Sequence, residues 1–235
     1  EISSCDWSSD VCSSDLMAGM HGTIAANKAF DRADLMLAFG TRFSDRVALN
    51  TEKFGKRAQK IQVDIDASEI NKNIFVDLGI TADIKDFLIH LLPLIRENGH
   101  EDWLSLATGW KSTTGDVKSD DAELHPSEII GTVCDLTDRD TIYVTDVGQH
   151  QMWSAQYLKH EHTRQFLTSG GLGTMGYGYG AAIGAQIGCP DARVIHFTSD
   201  GSFHMNLHEG CTAVSEHLPI ITIIMNNQEI GRAHV

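Results

Sequence analysis

Asp200 and Asn227, two side chains with oxygen donors, lie 27 residues apart, each directly after an apolar run of strand length. These runs are "RVIHFTS" and "LPIITIIMN". Because the carboxyl ends of neighbouring parallel strands meet at one edge of a sheet, both side chains are expected at the edge where open α/β sheets bind ligands. A carboxylate and an amide oxygen, completed by water and phosphate oxygens, suit Mg²⁺ held against a diphosphate. The pair is therefore a candidate metal site.

The residues after Asp200 allow two interpretations. Gly201 and Ser202 begin a helix-like pattern, and backbone N–H groups at the start of a helix can bind phosphate. Asp and Ser before a helix are also ordinary capping residues. Both roles stay open from the sequence.

A glycine-rich stretch, "GLGTMG" at residues 171–176, matches the pattern G-x-G-x-x-G, and Asp200 lies 24 residues beyond its last glycine. In a dinucleotide-binding domain the glycines would face the pyrophosphate and the acid would bind the ribose. A loop that only lets a helix approach a strand fits the pattern equally well. Asn227 has no role in a dinucleotide site, so the metal and diphosphate interpretation is favoured.

The second part of the chain, from residue 123 to 228, has the alternating pattern that would position these side chains. Pro126 fits the first turn of a helix. Four strand-like runs follow, with helices between the later ones: "TIYVTDVG", "RQFLTS", "RVIHFTSD" and "LPIITIIMNN". This alternation predicts a parallel sheet with right-handed crossovers.

The first part of the chain, residues 17–99, has a Rossmann-like layout. Two strand-like runs end at Gly40 and Asp66, and "DIKDFLIHLLPLI" has helical spacing. Residues 100–122 are polar and indicate a linker between the two parts.

The composition argues against several classes of protein. The chain has 235 residues, 42% of them hydrophobic, and a formal net charge of −14. That length suits one large or two modest globular domains, and an acidic chain without a basic cluster is not expected to bind nucleic acid. No apolar run reaches about 18 residues, so no membrane span is expected. The cysteines form no regular framework, which favours reduced thiols and a cytoplasmic location.

The two ends carry related sequence. One choice of codons makes "DVCSSDL", residues 10–16, and "EIGRAHV", residues 229–235, reverse complements, and "CDWSSDVCSSDL" resembles translated adapter from a sequencing library. A natural inverted repeat is the alternative. Residues 1–16 and 229–235 are therefore treated as adapter-like artefacts and excluded from the fold interpretation. The chain between them is expected to be an internal fragment of a longer protein.

Several motifs together resemble one family. "SDGSFHMNL", followed by "NN", is similar to the thiamine-diphosphate motif Gly-Asp-Gly … Asn-Asn, with Ser199 in place of the first glycine. "DVGQHQMW", "SGGLGTMGYGYGAAIGAQIGCPD" and "GMHGT … GTRFSDR … DIDASEINKN" resemble the large subunit of acetolactate synthase. The resemblance implies an α/β fold. A Rossmann-like portion of the central FAD-associated domain, residues 17–99, would precede a truncated, parallel-sheet diphosphate-binding domain, residues 123–228.

The resemblance places one group of residues around thiamine diphosphate and its Mg²⁺: Asp200, Asn227, Gly201, Ser202, Gln149 and His150. Of these, Asp200 and Asn227 would be the metal ligands. Met175 would wedge the cofactor into its bent form, and Gly173 would offer a backbone carbonyl to its pyrimidine.

The resemblance also implies FAD. The residues similar to its flavin, ribityl and phosphate contacts are Met20, His21, Gly22, Gly40, Arg42 and Arg46. Toward its adenosine end would lie Asp64, Ile65 and Asp83. From the residues alone, the two arginines fit a solvated face equally well.

The implied activity joins pyruvate to a second 2-keto acid, giving acetolactate or acetohydroxybutyrate in branched-chain amino acid biosynthesis. The implied partners are 2-keto acid substrates, further copies in a homodimer or tetramer, and a regulatory small subunit. A pyruvate oxidase, glyoxylate carboligase or 2-keto acid decarboxylase stays open within the superfamily, and a dinucleotide-binding module outside it. The family's activating glutamate belongs to another domain, so we expect no catalytic residue in this chain and no activity from it alone.

Overall fold

The computed structural model describes residues 18–48, 50–96, 99–113, 124–160, 162–226 and 230, with residues 111–113 described by their backbone. The chain divides into two compact units, the first extending to Val117 and the second beginning at Lys118. Within the described ranges, no helix is long and apolar enough to cross a bilayer.

The first unit is built on a parallel sheet in the order β1-β2-β3. Its strands are β1 (Leu35–Phe39), β2 (Gln59–Asp64) and β3 (Leu78–Thr81). Its helices are α1 (Ile24–Arg32), α2 (Ile84–Leu91) and α3 (Glu101–Thr113), and short 3-10 turns lie at Gly19–His21, Ala67–Glu69 and Leu92–Leu94. The predicted Rossmann-like alternation is confirmed.

Side chains along β1 are alternately exposed and buried, which shows the face of this sheet on which the core lies. Met36 and Ala38 are buried, whereas Leu35 and Leu37 are exposed. The core cluster around the buried pair consists of Met36, Ala38, Phe43, Ala48, Ala58 and Ile74. On the other face, α2 covers the end of β1, where the rings of Phe39 and Phe87 lie 5.9 Å apart.

Helix α3 lies inside residues 100–122, the segment predicted to be a linker. It contacts α1, and the rings of Trp103 and Trp110 meet edge to face at 5.9 Å. This stretch is therefore helical, and because the boundary between the two units also falls within residues 100–122, the role of the segment as a linker stays a prediction. The helix begins with two acids, and Ala107 is buried among its described side chains. The polar stretches "STTG" and "KSDD", at its end and beyond it in the sequence, concealed it.

The second unit contains a parallel sheet in the order β5-β4-β6-β7. Its strands are β4 (Ile142–Thr145), β5 (Phe166–Thr168), β6 (Val194–Thr198) and β7 (Ile221–Ile224). Its helices are α4 (Pro126–Asp135), α5 (Gln149–Tyr157), α6 (Tyr177–Gly188), α7 (Asp200–Met205) and α8 (Glu209–Ser215). All four predicted strands, their parallel pairing and the helix that begins at Pro126 are confirmed.

Both faces of this second sheet carry helices, which explains why β6 is buried along its whole length. One face packs with α4 and α5 around Ile130, Tyr143, Leu158, Ile195, Phe197 and Met225. The other packs against α6, where Ala182 meets Val144 and Val194. Helices therefore cover both faces of the sheet.

Gly178 lets α6 approach the sheet closely. A Cβ atom at this position would overlap the His196 ring and lie 2.8 Å from the backbone nitrogen of Asp146. Farther along the same helix, a Cβ at the exposed Gly184 would meet nothing within 4 Å.

We predict opposite effects of alanine at these two glycines. Gly178→Ala should lower the free energy of unfolding by about 1 to 3 kcal/mol, because α6 must move away from β4 and β6. Gly184→Ala should raise it by about 0.5 to 1 kcal/mol through the helix propensity of alanine. Urea denaturation of the purified chain measures both, and equal effects would contradict the close approach.

Candidate cofactor site

The carboxyl edge of the second sheet brings together the segments that follow β4, β6 and β7. Asp146 comes directly after β4 and donates its backbone N–H to the carbonyl oxygen of Phe197, at 3.0 Å. Met225, directly after β7, donates to the carbonyl of Thr198, at 2.8 Å. Asp200 is therefore at the predicted edge. Asn227, its predicted partner in metal binding, lies outside the described residues.

Asp200 is the first residue of α7, and its Oδ1 atom is buried without a hydrogen-bond partner among the described residues. A buried carboxylate oxygen left unpaired is costly, and a bound cation would compensate it. This atom is the feature of the structure that fits a metal ligand. No group of three or more His, Cys, Asp or Glu that could hold a metal occurs in the described part of the chain. A site there would thus need an amide, phosphate or water to complete it.

Ser199 replaces the first glycine of the motif and fits its position. Its backbone is extended, with φ −110° and ψ 169°, a conformation that accepts a Cβ without strain. Its hydroxyl accepts a hydrogen bond from the N–H of Ser202, at 3.4 Å, and caps α7. The substitution therefore supplies a helix cap in place of a glycine.

Ser202 ties α7 to the segment after β4. Its side chain is fully buried, and its hydroxyl donates to the carbonyl of Val147 at 2.8 Å. Gly201, beside it, is half-buried. The hydroxyl of Ser202 thus serves the framework of the site, while the predicted backbone contacts of both residues with phosphate stay predictions.

Gln149 and His150 begin α5 at the same edge but differ in exposure. Gln149 is half-buried at the surface, whereas the side chain of His150 lies in the interior with 1% exposure. Gln149 is accordingly the more accessible of the two to a diphosphate. The predicted role of each residue stays a prediction.

The glycine-rich loop, residues 171–176, reaches the edge from β5. Its predicted contact residues, Gly173 and Met175, are both half-buried. The N–H of Gly176 donates to Oδ1 of Asp146 at 2.7 Å, and its carbonyl accepts from Nδ2 of Asn206 at 2.8 Å. The loop is therefore bonded to the segment after β4 and to the end of α7.

Sequence reasoning missed Asp146 and Asn206. Asp146 carries a signal that was available, because it follows an apolar strand in the same way as Asp200 does. Asn206 is the C-cap of α7, and no spacing rule relates it to residue 176. Only the folded chain places its amide there.

Strand order weighs against the dinucleotide interpretation of the loop. The loop does connect a strand, β5, to a helix, α6, as that interpretation requires. In the dinucleotide fold the acid follows the strand next to the one that precedes the loop. Here Asp200 follows β6, and β4 lies between β6 and β5.

Asp146 and His196 form a buried pair of titratable groups beside the glycine loop. Oδ2 of Asp146 and Nε2 of His196 are 3.9 Å apart, and both side chains are almost fully buried. Burial raises the pKa of Asp146, although hydrogen bonds from Gly176 and Val147 oppose the rise. Burial, with a smaller repulsion from His150, lowers the pKa of His196 to about 3. His196 is therefore neutral near pH 7 and forms no ion pair with Asp146.

The residues predicted to contact FAD also gather at one edge, that of the first sheet. Gly40 follows β1, Asp64 is the last residue of β2, and Asp83 lies two residues after the end of β3. Asp64 is buried, and its Oδ1 accepts from the N–H of Asp66 at 2.9 Å, while Ile65 is exposed. The Asp83 carboxylate caps α2, accepting from the N–H groups of two residues in its first turn.

The remaining residues predicted to contact FAD lie near the loop after β1. Met20 donates its N–H to the carbonyl of Arg46 at 2.7 Å, which brings the segment Gly19–His21 against this loop, with Gly22 directly after it. Arg46 is half-buried and His21 is buried. Arg42 is exposed and makes no ion pair within the described part of the chain. The structure thus brings these residues together, and their binding of FAD stays a prediction.

Two family models match the chain. The central domain of thiamine pyrophosphate enzymes matches residues 6–91, and the C-terminal TPP binding domain of the same enzymes matches residues 146–233. The chain therefore belongs to the thiamine pyrophosphate enzymes, in which the cofactor is thiamine diphosphate. Both matched ranges extend into the ends that resemble adapter sequence, whose origin stays a prediction.

Within that class, the chain is similar to acetolactate synthases. It is 43% identical over 222 residues to acetolactate synthase 1, chloroplastic, of Nicotiana tabacum, and 41% over 217 residues to the acetolactate synthase large subunit of Lactococcus lactis subsp. lactis. It is 38% identical over 223 residues to acetolactate synthase of Mycobacterium bovis. Each match covers 92% of this chain and 33%, 38% and 36% of the relative, so the chain spans about a third of their length. The resemblance drawn from the motifs is confirmed.

The buried histidine predicts a loss of stability in acid. The pKa of His196 falls from 6.5 in the unfolded chain to about 3 in the fold. The unfolded state therefore binds the extra proton, and the stability present above about pH 6.5 is lost as the pH falls toward 3. Burial of Asp146 acts in the opposite direction, so the effect of His196 must be isolated by substitution.

We expect His196→Phe to remove this acid sensitivity. The free energy of unfolding of the unsubstituted chain, minus that of the variant, should fall by about 1 kcal/mol per pH unit between about pH 6 and pH 4. Urea denaturation at several pH values measures this difference. A difference that does not change with pH would show that His196 is protonated as readily in the fold as in the unfolded chain.

Proposed function

We propose that this chain is part of a thiamine-diphosphate-dependent carboligase of the acetolactate synthase type. The enzyme would decarboxylate pyruvate and join the remaining two-carbon unit to a second 2-keto acid. One observation carries the proposal at the site: Asp200 presents a buried carboxylate oxygen, without a hydrogen-bond partner among the described residues, at the sheet edge where the glycine loop and α7 meet. The similarity to acetolactate synthases supports the choice among thiamine pyrophosphate enzymes.

The residues of this chain would bind and orient the cofactor. Asp200 and Asn227 would hold Mg²⁺, which a carboxylate and an amide oxygen suit. When bound, thiamine diphosphate supplies the nucleophilic carbon and accepts the electron pair released with CO₂. Gln149, half-buried at the start of α5, would face the diphosphate. Met175, in the loop after β5, would hold the pyrimidine end against the thiazolium end.

FAD, the cytoplasmic location and the assembly also belong to this proposal. The edge of the first sheet offers the exposed guanidinium of Arg42 and the half-buried one of Arg46, which suit a pyrophosphate. The relatives carry the words "large subunit" in some of their names, which favours a multimeric enzyme with a regulatory small subunit. Pyruvate follows from the proposed reaction as the first substrate.

The metal assignment is tested by Asp200→Asn in the complete gene product that contains this chain. We expect the substitution to weaken Mg²⁺-dependent binding of thiamine diphosphate by at least about 100-fold, because a metal ligand loses its charge. Without cofactor, the unfolding midpoint should stay the same or rise, since charge is removed from a carboxylate whose Oδ1 is buried without a partner among the described residues. Calorimetric titration and thermal unfolding measure the two effects, and an assay of acetolactate formed from pyruvate tests the reaction itself.

Asp138→Asn is the matched control for this test. The Asp138 side chain is 83% exposed and lies before β4, at the amino end of the sheet, near Arg193. Its substitution should leave cofactor affinity unchanged. If Asp200→Asn also leaves the affinity unchanged, Asp200 is not a metal ligand, and if the unsubstituted protein forms no acetolactate, the proposed reaction is wrong.

The flavin assignment is tested by Arg42→Ala in the same gene product. The unsubstituted protein should purify with flavin absorbance, and the variant should bind FAD about tenfold or more weakly, because a charge-assisted hydrogen bond is lost. Arg57→Ala is the control, since Arg57 is exposed and precedes β2 at the opposite edge of the sheet. A protein that has no flavin absorbance and cannot be reconstituted with FAD would be a flavin-free member of the class.

A further inference from the structure

The peptide groups on both sides of the Gly176 Cα atom are held by side chains from other segments. Its N–H donates to Oδ1 of Asp146 at 2.7 Å, and its carbonyl accepts from Nδ2 of Asn206 at 2.8 Å. Asp146 lies 30 residues before Gly176 in the chain and Asn206 lies 30 residues after it. These two hydrogen bonds, with Gly176 between them, form what we call the Gly176 clamp.

The clamp fixes a backbone conformation that favours glycine. Gly176 has φ +86° and ψ −3°, in the left-handed region. A Cβ atom there would lie 3.2 Å from Cβ of Met205, so the space on that side is also taken. The direction in which the chain enters α6 is therefore set by the clamp and by close packing together.

The two ends of the clamp connect the two halves of the cofactor site. Met175, proposed to contact the pyrimidine, is the residue directly before Gly176. Asn206 is the C-cap of α7, the helix whose first residue is Asp200. Because α7 is a short, regular element, its C-terminal end moves together with its N-terminal end. The hydrogen bond from Asn206 to Gly176 thus connects the glycine-rich loop, which contains Met175, to α7, which begins at Asp200.

We propose that Asn206 is a positioning residue, which with Asp146 sets the separation between Met175 and Asp200 so that thiamine diphosphate meets both at once. The inference rests on the proposed function and names a residue outside the predicted cofactor contacts. Asn206 would not touch the cofactor. It acts through Gly176, by removing the freedom of the loop before the cofactor binds.

Of the two side chains in the clamp, Asn206 is the better one to test. The Asp146 carboxylate is almost fully buried and also accepts from the N–H of Val147 at 3.0 Å, so its removal would disturb the fold. Asn206 is half-buried, and its side-chain amide makes one hydrogen bond to the loop. Asn206→Leu keeps approximately the same shape and removes the donor.

The test measures equilibrium binding of thiamine diphosphate in the presence of Mg²⁺, by calorimetry, to the complete gene product. Asn206→Leu should weaken binding by about threefold to tenfold, the effect of losing one hydrogen bond that preorganises the site. Asn206→Ala, which removes the donor and adds no bulk, should give a similar loss. Thermal unfolding without cofactor shows that each variant is folded.

A double-mutant cycle with Met175→Ala separates positioning from general destabilisation. If Asn206 acts by holding Met175 in place, it should matter little once the Met175 side chain is gone. Asn206→Leu should then weaken binding by less than about twofold in the Met175→Ala background.

A second readout is the near-ultraviolet circular dichroism of the bound cofactor at saturation, which should differ between Asn206→Leu and the unsubstituted protein because the cofactor is held differently.

Gln186→Leu is the matched control. Gln186 is a buried amide on α6 whose Nε2 donates to the carbonyls of Ala192 at 2.9 Å, Pro190 at 3.3 Å and Cys189 at 3.4 Å, before the amino end of β6. Its substitution removes side chain to backbone hydrogen bonds from the same unit, at the opposite edge of the sheet. It should change the unfolding temperature without changing the affinity for the cofactor.

The outcomes separate the clamp from the proposed function. If the unsubstituted protein binds thiamine diphosphate and Asn206→Leu binds it equally well, the clamp does not position the cofactor. Independent, additive effects of Asn206→Leu and Met175→Ala would also overturn the inference, since Asn206 would then act without Met175. If the unsubstituted protein fails to bind thiamine diphosphate with Mg²⁺, the proposed function is wrong, and the role of the clamp falls with it.

Discussion

The carboxylate of Asp146 is the interaction on which the edge of the second sheet depends. It stands at the end of a central strand and accepts N–H groups from its own loop and from the glycine loop. Burial makes its charge costly, and each of these donors offsets part of that cost. The neutral ring of His196 and the missing side chain of Gly178 leave room for this arrangement on the helix side. The same donors that offset the cost of burial also hold the carboxylate in its position.

Much of the fold was predictable because its signals are local. Buried strands such as β6 give continuous apolar runs, and Pro126 marks the start of a helix through its fixed φ angle. The placement of Asp200 followed from the same logic, since parallel strands end at a common edge. In contrast, β3 has only four residues, and Gly79 is one of them. Its position in the sheet is determined by its pairing with β2. A strand of that kind forms through pairing, and its own sequence announces little.

The parts of the site that sequence could not supply are those made by distant contacts. The hydrogen bond from Asn206 to Gly176 depends on where α7 ends relative to the loop after β5, which is a property of the packed sheet. The burial of His150 likewise depends on the packing of α5 against β6, whereas its neighbour Gln149 stays accessible. Helix α3 was missed for a different reason, because its leucines lie exposed and polar residues dominate the sequence after Trp110, as in a linker.

The exclusively parallel pairing of the second sheet has a consequence for the order in which this unit assembles. No two of its strands can meet as a hairpin, and the central pair joins Ile142 to Val194, across the whole of α5, β5 and α6. Closing so long a loop is slow, because chain entropy is lost before any contact compensates it. The bond from Ser202 to Val147, which spans 55 residues, requires a closure of similar length. The carboxyl edge is therefore complete only when the chain has closed these long loops, and a ligand that binds there stabilises the folded unit relative to partly folded chains.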